Sequence, residues 1–180
     1  MARTVTHVPY GYEPEPETIR GTLILYDAFD ALFSAETLLT WTRWAEEHDI
    51  ARVVLYPLHE ETLRRMASKS AGPAEPYHVR LQRLEELREE IAGAGEVPVE
   101  IDEWERKRKK YTPMDTALDF LTEKYKGPHF LGLTGTMANK FATYSSFEPW
   151  IRKLRLLIRA DASFQAHPQL LKFEHRMDFL

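Results

Sequence analysis

The chain has 180 residues, 43% hydrophobic and 29% charged, with a net charge of −4 and no cysteine. That composition suffices for one domain with one buried core. It excludes disulfides and thiolate metal sites, and it offers no global charge argument for nucleic acid or an acidic membrane.

Residues 1–19 are rich in Pro and Glu and have no hydrophobic period. They read as an extended arm laid over the domain or a partner. They lack the apolar stretch of a secretory signal. No run in the chain reaches the roughly 20 apolar residues that span a bilayer. A cytoplasmic location is the expectation.

GTLILYD at 21–27 reads as a buried strand, and 34–48 as a helix capped by Ser34 with Glu36 in its first turn. ARVVLYP at 51–57 reads as a second strand, then a short helix from His59 to Met66 and a loop at 68–76. An amphipathic helix follows through Leu81, Leu84 and Ile91, ended by Gly93 and Gly95. Alternating Val97, Val99 and Ile101 predict a third strand, and Asp102 to Lys110 a charged loop. Thr112, Pro113 and Asp115 predict a helix start, HFLGLT at 129–134 a fourth strand, and Phe147, Trp150, Ile151, Leu154 and Ile158 a fifth helix. Residues 160–180 read as a helical or irregular tail on the domain formed by 20–159.

Strand–helix alternation implies a three-layer α/β/α, Rossmann-like parallel sheet of about four to five strands, with right-handed crossovers. Ligands of such sheets sit beyond the strand C-termini where the strand order reverses. The first and fourth strands are the expected neighbours there. Asp27 to Asp30 and Thr134 to Asn139 are then the expected crevice lining.

Two stretches resemble the nicotinate/nicotinamide mononucleotide adenylyltransferase family, within the nucleotidyltransferase-like Rossmann group. In residues 23–57, Phe29, Asp30 and Pro57 match the family's phosphate loop and second strand; in 99–141, Tyr111, Thr112, Asp115 and Thr116 match its S-Y-T-x-x-T-L helix start. The resemblance implies ligand-binding positions at Ala28, Phe29, Asp30, Glu36, Tyr111, Thr112, Thr134 and Gly135.

The family's H-x-G-H segment falls on Phe33, Ser34, Ala35 and Glu36, so both of its histidines are missing. Phe33 donates nothing to a phosphate. A carboxylate about 4 Å from a phosphate charge repels it by roughly 4 kcal/mol at an effective dielectric near 20. The family's I-S-S-T-x-I-R loop and the acid after its fourth strand find no equivalent either. The expectation is a degenerate homologue with no catalytic residues, binding a nucleotide-like or small anionic ligand or a protein partner. The alternative is an active adenylyltransferase with a rearranged phosphate site, using ATP and Mg²⁺. Lys140, Arg152 and the RKRKK run at 106–110 are the cations the sequence offers for it.

The remaining features have plainer readings. The RKRKK run reads as a solvated loop, His59 as a helix-start residue, and Asp27 and Asp30 as turn caps, although paired acids there could also bind Mg²⁺ or exchange protons. Trp41, Trp44, Trp150, Phe141, Tyr144 and Phe147 read as core. No metal and no nucleic-acid partner is expected, and homo-oligomerisation is left open.

Overall fold

The computed structural model describes residues 21–67 and 72–180. The expected arm at 1–19 and part of the expected loop at 68–76 lie outside these residues. The strands are β1 (Thr22–Asp27), β2 (Arg52–Pro57), β3 (Val99–Ile101), β4 (His129–Thr134), β5 (Arg155–Arg159) and β6 (Met177–Phe179). The helices are α1 (Ala35–Glu47), α2 (Glu60–Met66), α3 (Tyr77–Glu90), α4 (Trp104–Arg108), α5 (Met114–Lys124), α6 (Gly135–Ala142), α7 (Phe147–Ile151) and α8 (Pro168–Lys172). No described helix is long and apolar enough to cross a membrane.

The six strands form one sheet in the order β3-β2-β1-β4-β5-β6. Every neighbouring pair is parallel. The chain winds outward from β1 through β2 and β3, then returns to the centre and winds the other way from β4. The reversal between β1 and β4 opens a crevice at their C-terminal ends. This is the expected architecture, with the first and fourth strands adjacent as expected.

Successive strand residues point to opposite faces, so each central strand feeds two cores. Ile24, Tyr26, Val54, Tyr56, Leu131 and Leu133 pack with α5, α6 and α7. Leu23, Leu25, Val53 and Leu55 pack with α1 and α3 through Trp41, Ala45 and Leu84. Trp41, Trp44 and Trp150 are core residues as expected, as are Phe141 and Phe147, whose rings meet edge to face at 4.9 Å. At Gly132 of β4, Trp41 of α1 packs directly against the strand. A Cβ there would collide with Leu25 and Trp41.

Several elements differ from expectation. Leu154 and Ile158 do not extend a helix, because the turn at 152–154 ends α7 and 155–159 pair with β4 as β5. Residues 160–180 are not a helical or irregular tail, since they carry α8 and β6, with Leu156 opposite Met177. Both strands lie beyond the four placed individually from sequence, and they bring the sheet to six strands where about four to five were expected. Asp102 to Lys110 is not all loop, because 104–108 are helical. Thr112 does not cap α5. Pro113 holds the cap position without a side-chain bond, and Asp115 instead accepts from the Trp150 indole at 2.6 Å.

Candidate functional site

The crevice loop begins where β1 ends. Asp27 Oδ1 accepts the Ala28 N–H at 2.8 Å, and Asp30 Oδ1 accepts the Leu32 N–H at 2.9 Å. Both acids therefore cap turns. Between them Phe29 takes a left-handed backbone, φ 56°, which a side chain rarely adopts. Burial holds it there. Its ring is 2% exposed and meets Phe33 edge to face at 4.8 Å. Phe33 thus serves as a core wedge where the resembled motif has a histidine.

Ser34 then caps α1, accepting the Thr37 N–H at 3.1 Å, with Glu36 exposed in the first turn. Ser34 thus satisfies one of the free N–H groups of the helix end, and Glu36 adds a carboxylate beside it.

The recess so formed holds about 260 Å³. Leu25, Phe29, Trp41 and Gly132 supply apolar and backbone lining, and Asp27, Asp30, Thr134 and Arg159 supply the polar groups. Burial pushes the Asp27 carboxyl up to about 6; the Ala28 N–H opposes the shift, Asp30 adds to it and Arg80 opposes it. A wider recess of about 530 Å³ shares Thr134 and Arg159 and extends past Gly135 to Ser163. Thr134 Oγ1 caps α6 by accepting the Met137 N–H at 3.2 Å. The Phe164 ring lies against Gly135, where any Cβ would strike it. Asp161 Oδ1 accepts both the N–H and the hydroxyl of Ser163.

Of the eight sequence-derived positions, Phe29, Asp30, Thr134 and Gly135 line these two recesses. Ala28 is tied back, donating to Asp27 while its carbonyl accepts from Arg80 Nη1 at 2.7 Å. Glu36 stands on the helix turn that brings Thr37 to the recess.

Tyr111 and Thr112 are elsewhere. Arg65 covers the Tyr111 ring at 4.9 Å. Thr112 is fully buried, and its N–H donates to Thr62 Oγ1 at 3.1 Å. Thr62 donates in turn to Glu105 Oε1 at 2.7 Å. Glu105 also accepts from the Tyr56 hydroxyl at 2.9 Å and the His59 N–H at 3.2 Å. A carboxylate inside the charged 102–110 stretch is thus completely buried, which its solvated reading did not anticipate. Desolvation and this carboxylate hold the Tyr56 phenol far above its ordinary range. His59 caps α2 through Nδ1, as expected.

Arg159 is the crevice residue the sequence reading missed. It ends β5 opposite Thr134, is exposed, and lines both recesses. Among the described residues no carboxylate pairs with it. The cations expected there are elsewhere: Arg152 pairs with Glu148 at 2.8 Å, Lys140 lies on α6 outside both linings, and the RKRKK run flanks β3. The missed signal was strand pattern. Reading 155–159 as strand places Arg159 at the ligand edge. Among the described residues no cluster of three or more His, Asp or Glu is set to hold a metal.

The sheet order and the crevice at the β1–β4 reversal define a nucleotidyltransferase-like α/β fold. Two structures of the Plasmodium falciparum nicotinic acid mononucleotide adenylyltransferase, one complexed with NaAD and one with APC, are similar to it at a TM-score of 0.62. They share 12% and 11% identity with the chain and cover 89% of it and 74% of their own length. At that identity the likeness is one of fold. No family model matches the chain, and no curated protein matches it.

Proposed function

We propose that this chain binds a nucleotide-like or small anionic ligand in the β1–β4 crevice and no longer transfers adenylyl groups. The observation that carries the binding half is Arg159, an exposed guanidinium that lines both recesses and, among the described residues, forms no ion pair. A planar, permanently charged fork of donors suits phosphate or carboxylate. The apolar floor of Phe29 and Trp41 suits a flat, weakly polar group beside that charge.

The loss of transfer is argued from the start of α1. Phosphoryl chemistry needs positioning and neutralisation of developing charge. Here Ser34 takes up one N–H of the helix terminus and Glu36 makes it more negative. Asp27, Asp30 and Asp161 around the recesses also outnumber Arg159 as charged residues.

The second reading, an active adenylyltransferase, draws its support from the same Arg159, a cation where the sequence showed none. It requires ATP and Mg²⁺. The exposed Asp30 has one carboxylate oxygen engaged by a backbone N–H, which leaves the other for a hydrated cation.

Isothermal titration with ATP, nicotinate mononucleotide and the dinucleotide tests binding, and the absence of heat with all three would remove the ligand claim. Pyrophosphate release from ATP plus mononucleotide with Mg²⁺ tests the second reading. A rate above buffer would replace the first proposal with it.

A further inference from the structure

The narrower recess sets two carboxylates, Asp27 and Asp30, beside the guanidinium of Arg159. Binding of a plain anion does not account for them. The sheet register shows what does. Leu25 pairs with Gly132 across β1 and β4, and Thr134 pairs with Arg159 across β4 and β5. Two residues beyond Leu25, Gly132 and Leu157 come Asp27, Thr134 and Arg159, the last residues of their three strands. The period of two keeps each later residue on the face of the earlier one. That face is the α1 side, because Leu25 and Leu157 belong to the core there and a Cβ on Gly132 would strike Trp41.

A carboxylate, a hydroxyl and a guanidinium therefore stand in one row across three adjacent strands. Strands lie roughly 5 Å apart, so Asp27 and Arg159 are on the order of 10 Å apart at the backbone. The floor beneath the row is apolar, formed by Leu25, Phe29 and Trp41. Asp27 is half-buried and forms no ion pair among the described residues, since Arg80 spends its bonds on the Ala28 and Glu75 carbonyls.

A bare phosphate uses only Arg159 and is repelled by both acids. A ligand with N–H donors at one end and an anionic group at the other uses the whole row. An ionised carboxylate accepts and never donates, so it favours a ring edge with adjacent donors. Guanine carries its N1–H and 2-amino group side by side. Adenine sets an acceptor, N1, beside its amino group, and hypoxanthine lacks the second donor. The recess of about 260 Å³ suits a base, and the adjoining one of about 530 Å³, reached past Thr134 and Arg159, leaves room for sugar and phosphate.

We propose that the crevice selects a guanine nucleotide, with Asp27 accepting from the two donors of the base edge and Arg159 holding the phosphate. This selection rests on the nucleotide-binding reading above and makes Asp27 its specificity-determining residue. Charge-assisted bonds to a half-buried carboxylate are strong, and a base that turns an acceptor toward it forfeits them.

Titration calorimetry with GMP, AMP, IMP and pyrophosphate tests it, at low salt and at a mildly alkaline pH that keeps Asp27 ionised. GMP should bind about tenfold or more tighter than AMP or IMP. Asp27→Asn turns an amide donor toward the donors of guanine. It should weaken GMP about tenfold while pyrophosphate binds more tightly, a pair of opposite changes that a damaged fold cannot produce. Arg159→Gln should weaken GMP and pyrophosphate alike. Equal affinity for the three nucleotides, with Arg159→Gln still weakening all of them, would overturn guanine selection and leave the anion reading standing. Tighter GMP binding by Asp27→Asn would overturn it in the same way. No heat with any of the four probes would remove both.

Discussion

Arg80 Nη1, reaching from α3, donates to the Ala28 carbonyl at 2.7 Å, so a helix on one face of the sheet fixes the loop that opens the crevice. The same guanidinium donates from Nε to the Glu75 carbonyl at 2.9 Å and faces Glu60 at 3.6 Å, with Arg80 itself 1% exposed. Its bonds oppose the relaxation of Phe29 from its left-handed backbone, a conformation costing about 1–3 kcal/mol.

Arg80→Met keeps the bulk and removes these bonds. The half-exposed Glu60 contributes little, so most of the cost comes from the two carbonyls left without a donor. The expected loss is about 3 kcal/mol of unfolding free energy. Urea denaturation measures it, and hydrogen exchange at 28–33 should accelerate beyond the global effect. Stability within experimental error of the parent would show that Arg80 does not hold the loop.

Asp27 sets the pH dependence. Its ordinary value is 3.8 and burial raises it to about 6 in the folded chain. The folded state therefore holds the proton over a range where the unfolded chain has released it. Stability from this group falls as pH rises from about 4 to 6, then stays at its lower level. Asp27→Asn removes the penalty while keeping an oxygen for the Ala28 N–H. The variant should gain at most about 3 kcal/mol near pH 7 and little near pH 3. It should also bind anions more tightly at neutral pH, since one opposing charge leaves the crevice. Thermal denaturation across pH 3–8 checks the first claim, and titration calorimetry checks the second.

Sequence pattern revealed the centre of the sheet better than its rim. TLILYD, RVVLYP and HFLGLT are apolar runs too short for helices and bounded by turn residues, so β1, β2 and β4 were legible. RLLIR is just as apolar, but Leu154 and Ile158 continue a four-residue spacing from Trp150, and the short run fits either period. Misreading β5 hid Arg159, because a helical frame gives that residue no relation to the crevice. β6 is three residues with only Met177 buried, and its register against β5 exists only in the folded chain. The crevice loop was legible because Asp27, Phe29 and Asp30 follow a strand whose end was clear. Tyr111 and Thr112 were placed in the same site by motif alone, and the fold instead puts Thr112 in a buried network with Glu105.

Arg159→Gln tests the site without threatening the fold. The side chain is exposed and its loss leaves no buried group without a partner. Stability should stay within about 0.5 kcal/mol. Affinity for ATP or pyrophosphate at low salt should fall about tenfold or more, near 1.4 kcal/mol. The difference between parent and variant should shrink as salt rises. Equal binding by both proteins would remove Arg159 from the site.

Ser34 and Glu36 permit a prediction in which stability and binding move in opposite directions. Ser34→Ala removes the acceptor for the Thr37 N–H and should cost about 1 kcal/mol. Glu36→Gln removes a favourable charge from the start of α1 and should cost a few tenths of a kcal/mol. If an anion's charge lies near that helix end, the same Glu36→Gln change should tighten its binding severalfold, because the carboxylate repels what the helix attracts. Paired denaturation and calorimetry on this one variant decide the matter. Lower stability with tighter binding places the ligand's charge beside α1. Lower stability with unchanged binding moves it toward Arg159 and the start of α6, and the electrostatic case against phosphate chemistry at α1 loses its force.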